Sequence, residues 1–247
     1  MKFSNEINEY LAGKQFSAGL DIEFGDLKYP DQTRIQKIIE LTKGKRVIHI
    51  GCADHLALIE TKIANDKWLH GLLNKATKEC IGLDIDQEAI HLIREKLQIK
   101  NVFLVGEEAD KLIFEGEEKW DYMVLGEIIE HVDNPVAFLS DLQKKYGHKV
   151  DKIIITAPNV FNLLTIKDIY SNKENINTDH RYWFSPFTLT KIVINSGFNH
   201  PEIHFVERVK LPILKALLKR IKILLNIPLT FKANCFSNIV LVANFLK

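Results

Sequence analysis

Val47-Ile48-His49-Ile50-Gly51-Cys52-Ala53-Asp54-His55 reads as an apolar strand that runs into a turn of small residues and then into a helix. This layout lets backbone N–H groups come close to a ligand at the strand's end. On either side of it, short apolar runs alternate with longer helical patterns. Arg46 to Ile50, Glu79 to Leu83, Asn101 to Val105, Tyr122 to Leu125 and Lys152 to Thr156 are the candidate strands. Five strands separated by helical segments predict a parallel sheet with helices on both faces. Beyond Ser196-Gly197-Phe198, the segments Glu202 to Val209 and Ser237 to Asn244 read as two further strands with a helix between them. The expectation is therefore an α/β fold with a mostly parallel, seven-stranded sheet.

Upstream, Asp31 to Thr42 carries Ile35, Ile38 and Ile39 on one helical face, and Gly44 ends it. Met1 to Tyr29 has no clean periodicity, which suggests an arm or lid. Residues 1–44 are thus expected to form an N-terminal arm and first helix, and residues 45–247 one elaborated α/β domain. With 247 residues, 46% of them apolar, the chain can bury one large core. A formal net charge of +1 argues against bulk nucleic-acid binding, and so against DNA as a partner. Three cysteines, Cys52, Cys80 and Cys235, with no Cys-x-x-Cys, imply neither a disulfide framework nor a structural zinc site, and suit a reducing cytoplasm. No signal-peptide pattern and no membrane-spanning run is read.

Two segments offer chemistry beside the first loop. Gly82-Leu83-Asp84 puts a carboxylate at the neighbouring strand tip, where it is placed to accept from two ribose hydroxyls. Trp120-Asp121-Tyr122-Met123-Val124-Leu125-Gly126-Glu127-Ile128-Ile129-Glu130-His131 is a buried strand followed by Glu127, Glu130 and His131 at i, i+3 and i+4, one face of a helical turn. Carboxylates and an imidazole at the carboxyl end of a sheet suit a divalent metal, or a general base beside a cofactor. The plainer alternative makes Glu127 and Glu130 solvated first-turn acids and leaves His131 to pack. Asp66 to Leu73 reads as an extra helical turn, in which Trp68 and His70 either line the site or join the core. Asn134 and Pro135 read as a helix start. Asn159 has an acceptor contact or, more simply, a turn role.

With the glycine loop and Asp84 in place, the chain resembles the class I S-adenosylmethionine-dependent methyltransferases, from about Arg46 to Phe198. The resemblance implies a Rossmann-like fold and S-adenosylmethionine as cofactor. It makes Gly51, with Cys52 and Ala53, the cofactor loop, and Asp84, followed by Ile85, the ribose-binding tip. Glu107 and Glu108 after Gly106 match the adenine segment, and Gly126 with Glu127 the segment beside the methionine moiety. Where the family has acid-x-Gly-x-Gly-x-Gly, this chain has His49, Gly51, Ala53 and His55. His55 does not suit glycine-only backbone angles, so the loop must follow a different path. A nicotinamide-dependent dehydrogenase would need glycines where Ala53 and Leu56 stand.

The pattern Glu-x-x-Glu-His, with a later Asp179-His180-Arg181-Tyr182, looks like the metal site of small-RNA terminal 2′-O-methyltransferases. A similar cluster occurs in ubiquinone-biosynthesis O-methyltransferases. That resemblance implies Glu127, Glu130, His131 and His180 as ligands of a divalent metal (Mg²⁺, Mn²⁺ or Fe²⁺), with Glu130, His131 and His180 at the reacting centre. A lesser version keeps His131 or His180 as a metal-free general base. Cys52-Ala53-Asp54-His55, Trp68-Leu69-His70 and Gly82-Leu83-Asp84-Ile85-Asp86 together look like methyltransferases of bacterial surface-polysaccharide synthesis. A sugar or nucleotide-activated sugar is therefore the expected small-molecule acceptor. RNA termini and quinone precursors are the alternatives, and a catalytically silent scaffold is the reading outside catalysis. Leu214, Leu217, Leu218, Ile221, Leu224 and Leu225 form a stripe beside Lys215, Lys219, Arg220 and Lys222. Residues 211–226 thus suit burial against the sheet or a homodimer partner, and less readily an anionic membrane surface.

Overall fold

The computed structural model describes residues 1–25, 27, 31–54, 56–209 and 232–246. The elements run α1 (Asn5–Leu11), α2 (Arg34–Thr42), β1 (Arg46–Ile50), α3 (Leu56–Ala64), α4 (Leu69–Ala76), β2 (Glu79–Asp84), α5 (Gln87–Glu95) and β3 (Val102–Leu104). They continue with α6 (Glu107–Phe114), β4 (Trp120–Gly126), α7 (Pro135–Tyr146), β5 (Val150–Pro158), α8 (Leu163–Tyr170), α9 (Pro186–Asn195), β6 (Phe198–Arg208) and β7 (Phe236–Phe245). The strands form one seven-stranded sheet in the order β3-β2-β1-β4-β5-β7-β6. All neighbours are parallel except β7, which runs antiparallel to both β5 and β6. The fold is the expected Rossmann-like methyltransferase architecture.

Successive side chains of a strand point to opposite faces, and the core is divided accordingly. Ile48, Met123, Leu125, Ile153 and Ile155 face one layer, which includes Leu139 of α7 and Leu189 of α9. Val47, Val124 and Ile154 face the other, against Ile38 of α2 and Leu69 and Leu73 of α4. Helix starts are set by local chemistry. Thr33 and Gln36 form a capping box on α2, Asn134 caps α7 with Pro135 in its first turn, and Ser185 caps α9 ahead of Pro186. Chain order reverses between β1 and β4, so a crevice opens there at the carboxyl ends of the strands.

The structure refines two expectations and corrects a third. The stretch before residue 30 contains a helix, α1, capped by Ser4, and Met1 pairs with the edge strand β6 through its amino group and carbonyl on Ile203. Phe24 packs edge-on against Phe205 of β6, so this part of the arm covers a sheet edge. The surplus between β1 and β2 is helical from Leu69 onward, as a helix of its own: Asp66 has φ +50 and α4 begins afresh after Trp68. The residues after β4 are not helical, for Glu127 takes φ +58 and an irregular turn leads to α7. The helix expected between β6 and β7, with the basic stripe in residues 211–226, lies outside the described residues. Among the described residues no helix is long and apolar enough to cross a membrane.

Candidate active site

At the tip of β1 the chain turns through Gly51 at φ +72. A Cβ there would meet only the movable end of the Ile128 side chain, so it is the backbone angle that requires glycine. The N–H groups of Gly51 and Cys52 donate to the Leu83 carbonyl, at 2.8 and 3.2 Å. The Ala53 N–H donates to Oδ2 of Asp84 at 2.9 Å, and the Asp86 N–H to Oδ1 at 3.1 Å. Asp84 therefore ties the β1 loop to the β2 tip. Ala53 is fully buried, and its contribution is this backbone contact. The next residue, Asp54, takes φ +62 and pairs with Lys62 at 2.5 Å. His55, on which the expectation of a different loop path rests, lies outside the described residues. Ile85 stands 85% exposed beside Asp84, and Glu107 and Glu108 are exposed in the first turn of α6.

The loop is backed by buried polar packing. Trp68 Nε1 donates to the Cys52 carbonyl at 2.9 Å, so Trp68 belongs to the support rather than the lining. His70 is buried too, stacked on His49 with ring centroids 5.6 Å apart. Burial holds His49 well below the ordinary histidine range and lowers His70 to about 4. Burial likewise raises the Cys52 thiol well above its ordinary range and Cys80 to about 12, so neither offers a thiolate near neutral pH. Gly82 gives the stack room: a Cβ there would approach His70 Cε1 to 2.6 Å.

Beyond β4 the chemistry differs. Glu130 is 0% exposed, and apart from its own backbone N–H its carboxylate oxygens find no hydrogen-bond donor among the described residues. Burial first, then the charge of Glu127, raises it to about 8. His180 Nε2 stands 4.0 Å from Glu130 Oε1, and the His131 and His180 rings meet edge to face at 4.7 Å. One ligand atom from each of Glu130, His131 and His180 can be chosen so that all lie within 4.8 Å of one another. Burial and then His131 lower His180, which favours its neutral form. The His180 loop is clipped on from below: the Arg181 N–H donates to the Glu130 carbonyl at 2.8 Å, the Arg181 guanidinium donates to the His131 carbonyl, and its Nε pairs with Asp133 at 2.6 Å.

An unpaired buried carboxylate is costly, whereas one carboxylate and two imidazoles form a donor set that suits a divalent cation. The three residues fit such an ion. Glu127 stands apart from this group. Its N–H donates to Thr156 Oγ1, whose hydroxyl donates back to Glu127 Oε1, both at 3.0 Å, and Arg34 Nε lies 3.9 Å from the same oxygen. Thr156 and Arg34 went unnoticed in the sequence. A hydroxyl ending the apolar run Ile153-Ile154-Ile155 was the available signal for the first; nothing local marks the second. Asn159 is structural: its Nδ2 donates to the Ala233 and Phe236 carbonyls and its Oδ1 accepts from Phe161.

Comparison with known proteins is consistent with this layout. A methyltransferase-domain family profile matches residues 27–202, most of the chain. A solved S-adenosylmethionine-dependent methyltransferase from Archaeoglobus fulgidus is 21% identical, with 85% of this chain and 91% of that one covered at a TM-score of 0.50. A Thermotoga maritima protein described as an S-adenosylmethionine-dependent methyltransferase, possible histamine N-methyltransferase, is 14% identical over 86% of this chain and 87% of that one, also at 0.50. A chain of the Pnkp1/Rnl/Hen1 RNA repair complex is 15% identical, with 89% of this chain and 43% of that one covered, at 0.48. The two at 0.50 share its fold. With the matched profile spanning the β1 loop, Asp84 and the post-β4 turn alike, the chain belongs to the methyltransferase-domain family and is a class I S-adenosylmethionine-dependent methyltransferase.

Proposed function

We propose that this enzyme is a metal-assisted O-methyltransferase whose acceptor is a hydroxyl of a sugar or nucleotide-activated sugar, in surface-polysaccharide synthesis. The observation that carries the proposal is the buried, unpaired carboxylate of Glu130 facing His131 and His180. Asp84 holds the ribose of the cofactor, with Ile85 offering an exposed apolar surface beside it and Glu107 and Glu108 flanking the adenine end. Gly51, Cys52, Ala53 and Gly126 line the path between the strand tips. S-adenosylmethionine supplies an electrophilic methyl group. A divalent ion (Mg²⁺, Mn²⁺ or Fe²⁺) held by Glu130, His131 and His180 supplies a Lewis acid that makes an acceptor hydroxyl more acidic. Glu127, the fourth ligand that the sequence pattern implies, has its Oε1 engaged by Thr156. With a ring nitrogen of His180 committed to the ion, the acceptor's proton would leave to water; in the metal-free version His180, in the neutral form that burial favours, would take that proton instead.

A divalent site of this kind suits an acceptor with two neighbouring hydroxyls, as in a sugar ring. The test is S-adenosylhomocysteine production with nucleotide sugars, with and without chelator, beside analogues lacking one of the two hydroxyls. Turnover that needs both hydroxyls and stops with chelator is expected. Chelator-resistant turnover contradicts the metal role, and turnover only with an RNA 3′ end or a catechol-like quinone precursor contradicts the sugar.

A further inference from the structure

His180 comes to the cluster from the connection between α8 and α9, a different segment from the turn after β4 that carries Glu130 and His131. Inside the cluster its contacts are loose. Its Nε2 lies 4.0 Å from Glu130 Oε1, beyond hydrogen-bond reach, and its ring meets that of His131 edge to face. The firmer hold comes from the two residues that follow it. The Arg181 N–H donates to the Glu130 carbonyl at 2.8 Å, Arg181 Nη1 donates to the His131 carbonyl, and the Tyr182 hydroxyl donates to the Asp133 carbonyl at 2.7 Å. One dipeptide thus serves three carbonyls of a single turn, and His180 is the residue just before it. The same Nη1 also donates to the Asp179 carbonyl at 3.3 Å, so the guanidinium grips the loop on the other side of His180 as well. A planar fork of N–H donors suits such a task, whereas an ammonium on a flexible stem holds no fixed geometry.

Asp133 completes the arrangement by taking Arg181 Nε at 2.6 Å. With the two side chains 49% and 90% exposed, this ion pair adds little stability of its own. Its effect is on the local field: it offsets a cation that would otherwise oppose a metal ion nearby. We propose that Arg181 is a positioning residue, which holds His180 beside Glu130 and His131 before any ion is bound. The inference rests on the metal reading of those three residues given above. By charge alone, loss of the guanidinium would strengthen the binding of a cation. By position, the same loss would weaken it, because His180 would be left to its loose contacts. The two roles therefore differ in sign.

Two measurements on the full chain test it. In the first, Mn²⁺ is titrated by calorimetry into chelator-stripped wild type, Arg181→Gln and Arg181→Lys. Arg181→Gln is expected to bind at least about tenfold more weakly than wild type, with Arg181→Lys intermediate. Unchanged or tighter binding by Arg181→Gln contradicts the assignment. In the second, the metal-free proteins are treated with diethylpyrocarbonate, and labelling of His180 is followed by peptide mass spectrometry against that of the exposed His200. Relative to His200, His180 of Arg181→Gln should label at least about threefold faster than in wild type. Weaker Mn²⁺ binding with unchanged labelling would mean that the guanidinium acts by some route other than His180, and the assignment is wrong. Wild-type protein that binds no Mn²⁺ overturns the metal reading itself, and this assignment with it.

Discussion

At the tips of β1 and β2 the Asp84 carboxylate is engaged at both oxygens by the N–H groups of Ala53 and Asp86, and the loop it holds is braced by Trp68. After β4, the Glu130 carboxylate is buried deeper and, apart from its own backbone N–H, has no donor among the described residues. The two carboxylates sit on the same crevice and have opposite environments. The first stabilises its loop with nothing bound, so it serves as scaffold. The second is unfavourable when ionised, and burial keeps its proton on up to about pH 8, an environment that the proposed cation would relieve.

The comparison is broken most severely by removing the brace. Trp68→Ala leaves a void under the β1 loop and is expected to cost about 3–5 kcal/mol. Denaturant unfolding measures it, and a cost below about 1 kcal/mol would mean that the loop does not lean on Trp68. The next effect is on acid stability. His70 falls from an ordinary 6.5 to about 4 in the folded protein, so between those pH values the unfolded chain binds a proton that the native one does not. Stability is therefore lost as pH falls from 6.5 towards 4 and levels off below, with a contribution of about 3 kcal/mol. His49, shifted the same way, adds to it. His70→Gln should flatten that part of the pH–stability curve, and an unchanged slope would contradict the burial argument.

The smallest effects sharpen the contrast by their signs. In chelator-treated protein near neutral pH, Glu130 folds at the cost of taking up a proton, and Glu130→Gln removes that cost and is expected to stabilise by about 1 kcal/mol. Asp84→Asn removes the charged acceptor of two N–H groups and is expected to destabilise by about 1 kcal/mol. Melting temperatures of the two variants should move in opposite directions; a shared direction would mean that the two environments are alike.

The contrast also shows what a sequence can disclose. The strands were legible because each is a short apolar run bounded by polar residues, and all seven fall within a few residues of expectation. Asp84 was legible for the same reason, as a polar tip on an apolar strand. Glu130, His131 and His180 were visible as a pattern, although the turn that brings them together is irregular instead of helical. The place of Glu127 was not legible, because it depends on a left-handed backbone and on Thr156 from the next strand. Arg34 reaches Gly126 across the sheet, and no local periodicity encodes that approach. The roles of Trp68 and His70 were left open because burial, unlike periodicity, is decided by what packs on top.

The most direct measurement is a Mn²⁺ titration of chelator-stripped protein by calorimetry, with wild type, His180→Ala and Asp84→Ala side by side. The site after β4 predicts one ion bound by wild type and by Asp84→Ala, and an affinity at least about tenfold lower in His180→Ala. Equal affinity in all three, or no binding by wild type, would contradict it.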